Sequence, residues 1–247
     1  MKRILKAILP LSVVRWLGNV VSSSGGRYLR ESYSQEGEDL ILERLFENRD
    51  TGFYVDVGAH HPRRFSNTFL FYKRGWHGIN IEPNPDALKL FERHRKKDIN
   101  LGFGVADTEG QLSYFMFNEP ALNSFDRVLS EQRQDHRYRI IETKSISVRR
   151  LSGILAEFMP DQTPIDFMSI DVEGFDLQVL QSNDWTRFRP ACVLVESPGF
   201  DPGKPQGEPI HSFLEQQNYG LFAKTFNTLL YLDKAKNKIS GRKAGTK

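Results

Sequence analysis

Short apolar runs recur along this chain, and most of them close on an acid or a small residue. Phe53-Tyr54-Val55-Asp56-Val57 runs into Gly58-Ala59. Trp76-His77-Gly78-Ile79-Asn80-Ile81 ends at Glu82, and Leu101-Gly102-Phe103-Gly104-Val105-Ala106 ends at Asp107. Ile165 to Val172 carries Asp171 and Glu173 at its end, and Ala191 to Val195 stops at Glu196. Runs of this length, rich in Val, Ile and Phe, suit strands buried on both faces of a parallel sheet.

Helical periodicity fills the gaps. Ser34 is expected to cap a helix through Phe46, with Leu40, Ile41, Leu45 and Phe46 on one face and Gln35, Glu36, Glu38 and Asp39 in its first turn. Phe65 to Arg74 reads as a second helix closed by Gly75. A third starts at Pro85 with Asn84 as its cap, and others cover Ile154 to Phe158, Phe175 to Gln181 and Ile210 to Gln216. Strand and helix alternate three times before residue 110, the pattern of an α/β, doubly wound, mostly parallel sheet. Residues 110–149 break the rhythm with two extended runs around a polar stretch, the place for a substrate-selecting insertion. Tyr219 to Phe226 and Leu229 to Leu232, joined at Asn227-Thr228, predict an antiparallel hairpin at the carboxyl-terminal edge of the sheet.

Charge divides the 247 residues into three parts. Residues 1–30 hold six Lys or Arg and no acid, residues 234–247 another six and no acid, leaving 22 bases against all 31 acids between them. An acidic body (31–233) with basic ends argues against a nucleic-acid-binding core. The apolar, basic segment 1–30 is too short between charges to span a bilayer or to make a full signal peptide. It is expected either to lie as an interfacial helix on a membrane or to pack on the domain. The 234–247 tail is expected to be a flexible extension. Hydrophobic content of 39% fits a globular protein, and the lone Cys192 reads as a core filler compatible with the cytoplasm, with peripheral contact at the inner face of the membrane.

Ligands of open α/β sheets bind beyond the carboxyl ends of the strands, where this chain concentrates its acids. Glu82 follows Gly58 by 24 residues, close to the spacing of an acid that accepts hydrogen bonds from a ribose diol. The glycine turn does not suit pyrophosphate. His60-His61-Pro62 follows Gly58-Ala59, Pro62 has no amide to donate, and the acids repel phosphate. A cationic nucleoside without phosphate, S-adenosylmethionine, matches such a site. An NAD-dependent sugar-modifying oxidoreductase and a non-catalytic membrane-associated scaffold are the other two readings.

Val55-Asp56-Val57-Gly58-Ala59, Glu82 and Ser169-Ile170-Asp171-Val172-Glu173-Gly174 with Val179-Leu180 resemble the FkbM family of S-adenosylmethionine-dependent methyltransferases. Ser34 to Asp39 and Phe65-Ser66-Asn67-Thr68 are similar to one branch of it. The resemblance implies a class I methyltransferase fold and methyl transfer to oxygen, often on a sugar or polyketide hydroxyl. It implies that Asp56, Gly58 and Ala59, with Asn67 nearby, line the methionine end of the donor, that Glu82 holds the ribose, and that Asp107 meets the adenine amino group. Asp171 and Glu173 would then face the transferring methyl. Asp171, Glu173, His60 and His61 are the candidate bases, and Asp171 with Glu196 are candidate ligands should a divalent metal take part. Phe115, Phe117, Asn123, Ser124 and Phe125 are candidates for shaping the acceptor pocket.

Overall fold

The computed structural model describes residues 29–236, so the expectations for residues 1–28 and for most of the basic tail fall outside it. Tyr33 onward forms one compact unit, and residues 29–32 carry no helix or strand.

Seven strands make the main sheet: β1 (Phe53–Val57), β2 (His77–Ile81), β3 (Ile99–Leu101), β7 (Phe167–Ile170), β8 (Cys192–Glu196), β9 (Tyr219–Lys224) and β10 (Thr228–Asp233). Their order is β3-β2-β1-β7-β8-β10-β9. β1 is central and buried along its whole length, pairing in parallel with β2 on one side and β7 on the other. The chain winds outward to β3 and then restarts at β7, so the reversal of strand order falls between β1 and β7. Only β10 runs against its neighbours β8 and β9, giving the expected hairpin. Helices α1 (Glu38–Leu45), α2 (Phe69–Lys73), α3 (Pro85–His94), α5 (Leu151–Phe158), α6 (Asp176–Ser182) and α7 (Pro209–Gln216) connect these strands. One apolar cluster includes Val55, Ile79, Leu155, Ile170 and Val195. A second joins Leu42, Tyr54, Phe71, Trp76 and Phe167 with Cys192, whose thiol burial pushes up.

Three sequence expectations need correcting. Helix α1 starts at Glu38 because Gly37 takes φ +87°, a left-handed conformation that ends any helix begun at Ser34. Ser34 instead bonds the Asp39 carboxylate at 2.9 Å. Helix α2 starts at Phe69, not Phe65, because residues 65–68 are drawn into the site described below. Finally, the run from Leu101 to Asp107 is two strands, not one. β3 ends at Leu101, and after Gly102-Phe103 the short β4 (Gly104–Val105) joins a separate three-stranded sheet. That sheet has the order β4-β6-β5, with β5 (Gly110–Phe117) and β6 (Ile140–Arg149) antiparallel. Between them lie a 3-10 turn at Pro120–Leu122 and helix α4 (Arg127–Gln132).

Candidate active site

A cavity of about 810 Å³, counting the part open to solvent, lies beyond the carboxyl ends of β1, β2 and β7. Asp56, Gly58, Ala59, His60, Asn67, Glu82, Asp171 and Glu173, all singled out in the sequence, line it together. No Lys or Arg does, among the described residues. The wall away from β1 comes from Phe103, Tyr114, Asn123 and Phe125, supplied by the second sheet and its connections.

Gly58 turns the chain with φ +75°, and a Cβ there would lie 1.8 Å from the carbonyl oxygen of Asp171. The missing side chain therefore makes room for the neighbouring strand end rather than for a ligand. That close approach is fixed from both sides. The Asp171 amide donates to Val57 O at 3.0 Å, and the Gly58 amide donates to Ile81 O at 2.9 Å.

Glu82 is held by two backbone amides: His60 N donates to Oε2 at 2.7 Å and Asn84 N to Oε1 at 2.8 Å. Burial nevertheless pushes its carboxyl up to about 7. Each oxygen keeps a lone pair, and the carboxylate lies at the strand end where a diol would meet it. Asp56 rises to about 6 through burial, opposed by the hydroxyl of Thr68, which donates to it at 2.9 Å, and by the charge of Arg95. Residues 65–68 leave helical geometry to make this arrangement. Phe65 sits at φ +56°, Ser66 and Thr68 are buried, and Asn67 Nδ2 donates to Ser169 Oγ at 3.0 Å.

Beneath the turn lies a fully buried guanidinium. Arg95 donates to Asp98 (2.8 Å), the Pro62 carbonyl (3.0 Å), the Tyr54 hydroxyl (3.0 Å) and Thr68 Oγ1 (2.6 Å). It thus ties the loop after Gly58 to the Thr68–Asp56 pair. The pattern of the sequence gave no sign of it.

Opposite Glu82, the loop after β7 carries Asp171 and Glu173. Glu173 has φ +55°. The loop is pinned by Asp176, whose carboxylate accepts from Val172 N at 3.2 Å and Gly174 N at 3.1 Å, and by Ser124, whose hydroxyl donates to Glu173 O at 2.6 Å. One carboxylate oxygen each from Asp171, Glu173 and Glu196 lie within 4.8 Å of one another. The spacing is one that a divalent cation can span. Asp171 is open to water in the cavity floor yet ringed closely by protein. Burial, then the charge of Glu196 and of Glu173, raises it well above the carboxylate range. Glu196 rises to about 8 through burial and the charge of Glu173, and it shares a hydrogen bond with Asp171. Like charges this close share a proton. Glu173 also rises through burial, but Arg133 from the end of α4 pairs with it at 2.5 Å and opposes the rise.

Two sequence candidates stand elsewhere. His61 lies outside the cavity lining. Its Nδ1 accepts from the amides of Arg63 (3.1 Å) and Arg64 (3.0 Å), capping the turn. Asp107 is exposed beyond β4, because the chain has already left the main sheet. Of the residues offered as acceptor-shaping, Asn123 and Phe125 line the cavity; Phe115, Phe117 and Ser124 do not. His60 does line it. Its Nε2 is buried without a partner, and burial, then the charge of Arg64, lowers the ring to about 4.

This strand order, with an acid-lined cavity at its reversal, is that of the class I methyltransferase fold. The family model for the methyltransferase FkbM domain matches residues 56–221. The chain belongs to that family, and the match makes it a methyltransferase that uses S-adenosylmethionine. Among solved structures, it is similar to a TehB-like S-adenosylmethionine-dependent methyltransferase from Corynebacterium glutamicum ATCC 13032, at 10% identity and TM-score 0.40, covering 90% of this chain and 97% of that one. A protein described as a type 11 methyltransferase from Sulfolobus solfataricus is similar at 12% identity and TM-score 0.39, covering 81% and 92%. No curated protein matches the sequence. The nicotinamide oxidoreductase and the non-catalytic scaffold do not survive the family assignment. No helix among the described residues is long and apolar enough to cross a membrane.

The residues present suit the donor. A cavity lined by four carboxyl groups, with no Lys or Arg among the described residues and a His60 ring that stays neutral, favours a sulfonium over phosphate, and Glu82 has lone pairs left for two ribose hydroxyls.

Proposed function

We propose that the chain methylates an oxygen, the hydroxyl of a sugar, glycan or related metabolite, with Asp171 as the base. When bound, S-adenosylmethionine supplies an electrophilic methyl group on a positively charged sulfur. Glu82 then takes the ribose hydroxyls, Asp56 and the Gly58–Ala59 turn border the amino-acid end, and Phe103, Val105 and Phe125 offer an apolar wall to the base. The observation that carries the reading is that Asp171 and Glu173 line the cavity across from Glu82, with Glu196 close against them.

A hydroxyl is a weak nucleophile, so a carboxylate that accepts its proton during transfer speeds the step. Much of the remaining rate comes from holding the oxygen in line with the methyl. With one proton held between Asp171 and Glu196, the pair keeps one ionised oxygen set. Asp171 suits the first task when it is that ionised partner and Glu196 carries the shared proton, and the neighbouring carboxyls raise its affinity for the hydroxyl proton it takes. Glu173, clamped by Arg133 and by Asp176, holds the strained loop that aims Asp171. His60 stays neutral at pH 7 and can serve the same cavity as a hydrogen-bond partner through Nε2. A small-molecule or glycan acceptor is the partner this reading calls for.

The test is to supply donor carrying a carbon-13 methyl together with a glycan fraction from cells, then to read the product by NMR. Label is expected as methoxyl carbon, reduced by at least about a hundredfold in Asp171→Asn. Label on nitrogen would refute the assignment to oxygen, and near-normal turnover in both Asp171→Asn and Glu173→Gln would refute the base.

A further inference from the structure

A second, smaller cavity of about 280 Å³, counting the part open to solvent, lies beside the first, at the carboxyl ends of β7 and β8 and the start of β10. Gln35, Phe65, Asn67 and Asp171 are walls of both. A molecule seated in the smaller space therefore reaches the same carboxylate that faces the donor cavity. Glu36, Glu38, Glu196, Asn227 and Thr228 complete its lining.

Two of these acids are fixed in place. Glu36 accepts the Asn227 amide at 2.8 Å, and Glu38 accepts both threonine hydroxyls, Thr225 at 3.3 Å and Thr228 at 3.1 Å. They form a stiff wall whose remaining lone pairs can take hydroxyl or ammonium hydrogens without rearrangement. Phe65 stands at the junction with its side chain 40% exposed, unusual for a Phe, and its positive φ holds it there. Arg64 lies over that ring at 4.3 Å and His60 stacks at 6.2 Å, so its position is braced. The exposed part of that ring, beside Arg64 and His60, offers apolar contact to a sugar's C–H groups, while carboxylates and side-chain amides suit its hydroxyls. No Lys, Arg or His lines this cavity among the described residues, so the acids Glu36 and Glu38 meet no cation inside it; Arg64 over Phe65 and Arg133, whose charge reaches Glu196, stand outside the lining.

We propose that the smaller cavity is the acceptor subsite and that it ranks polyhydroxyl acceptors by charge: amine-bearing first, neutral second, carboxylated or phosphorylated last. This rests on the oxygen-methyltransferase reading above. Like charges brought together in such a site oppose binding strongly, and an ammonium gains what a carboxylate loses.

The test uses the full chain saturated with S-adenosylhomocysteine and titrated at low salt with three methyl glycosides: the glucosaminide, the glucoside and the glucuronide. Ligand-observed NMR gives the dissociation constants. The amine is expected to bind more than about tenfold tighter than the uronate, with the neutral sugar between. Glu36→Gln is expected to narrow that spread, and Phe65→Ala to weaken all three together. A uronate that binds as well as the amine would overturn the proposal. So would a spread unchanged in Glu36→Gln, or no binding by any glycoside to the loaded protein. Titration of S-adenosylhomocysteine alone separates the failures. If it does not bind, the donor-site reading falls; if it binds and the glycosides do not follow the ranking, only the acceptor proposal falls.

Discussion

Replacing Arg95 with methionine tests whether one buried cation holds the donor turn. The side chain is fully enclosed, as is its partner Asp98. Methionine fills a similar length but donates nothing. Four acceptors lose a partner: the Asp98 carboxylate, the Pro62 carbonyl, the Tyr54 hydroxyl oxygen and Thr68 Oγ1. Asp98 keeps Tyr54, Gly78 and Asn80 as donors but becomes an uncompensated buried charge. Breaking one side of a buried ion pair costs about 3–5 kcal/mol. For a chain of this size, that lowers the melting temperature by roughly 6–20 °C. Urea unfolding monitored by tryptophan fluorescence reads the first figure and calorimetry the second.

The cycle with Asp98→Asn sharpens the test. If the penalty is the stranded charge, the double variant is less destabilised than the two single losses added together, by about 0.5–3 kcal/mol. A loss below about 1 kcal/mol in Arg95→Met, or strict additivity in the cycle, would refute the claim that this ion pair organises the turn. The site gives an independent reading. With Thr68 and Pro62 released, Asp56 loses its orientation and the nearby positive charge that opposes its rise, so donor affinity is expected to fall even at temperatures where the variant is folded.

Three further outcomes are expected. Gly58→Ala forces a Cβ into the Asp171 carbonyl at a left-handed backbone position and is expected to cost about 2–5 kcal/mol in urea titration; a loss under about 0.5 kcal/mol would mean the strand ends are not that close. Glu82→Gln removes the charge that strengthens its bonds to a diol, so calorimetric affinity for S-adenosylhomocysteine should drop about 10- to 100-fold, and less than a twofold change would end the ribose assignment. Stability should also fall with pH. Asp56, Glu82, Asp176 and Glu196 have folded values raised to about 6, 7, 7 and 8, so over this range the folded state holds more protons than the unfolded one. That stabilisation is complete below the unfolded carboxylate values and is lost as pH rises through the folded ones. His60, lowered to about 4, has the opposite sign but only below its unfolded value of 6.5. The clean window is therefore about pH 6.5 to 8.5, where the urea midpoint of the ligand-free protein should decline; a rise across it would show that these carboxyls are not held protonated.

Which parts of this site the sequence could show depends on how local their causes are. Asp56, Glu82 and Glu196 each end or interrupt an apolar run, and a buried parallel strand aims that end at the ligand face, so burial pattern and chemistry coincide in one stretch of chain. The mostly parallel, doubly wound arrangement follows from the same runs because a helix separates most of them from the next, and the closing hairpin follows from the short turn between its two runs. Asp107 looked equivalent only because Leu101 to Ala106 is apolar throughout. The chain leaves β3 after Leu101 to pair Gly104 with Val148, a partner more than forty residues away that no local periodicity reveals. The helix expected from Phe65 fails for a similar reason. Its apolar spacing is sound, but Thr68 is committed to Asp56 and Arg95, and that tertiary bonding outweighs a turn of helix. Arg133 follows the same rule. It comes from the polar stretch whose composition marks it only as surface, yet it closes on Glu173; Asn123, offered from the same insertion, does wall the cavity. Strand ends thus announce the donor side of the site, whereas the groups that position those ends arrive through long-range contacts. A variant such as Arg95→Met, chosen from no motif at all, is for that reason the more searching test of how the donor turn is held.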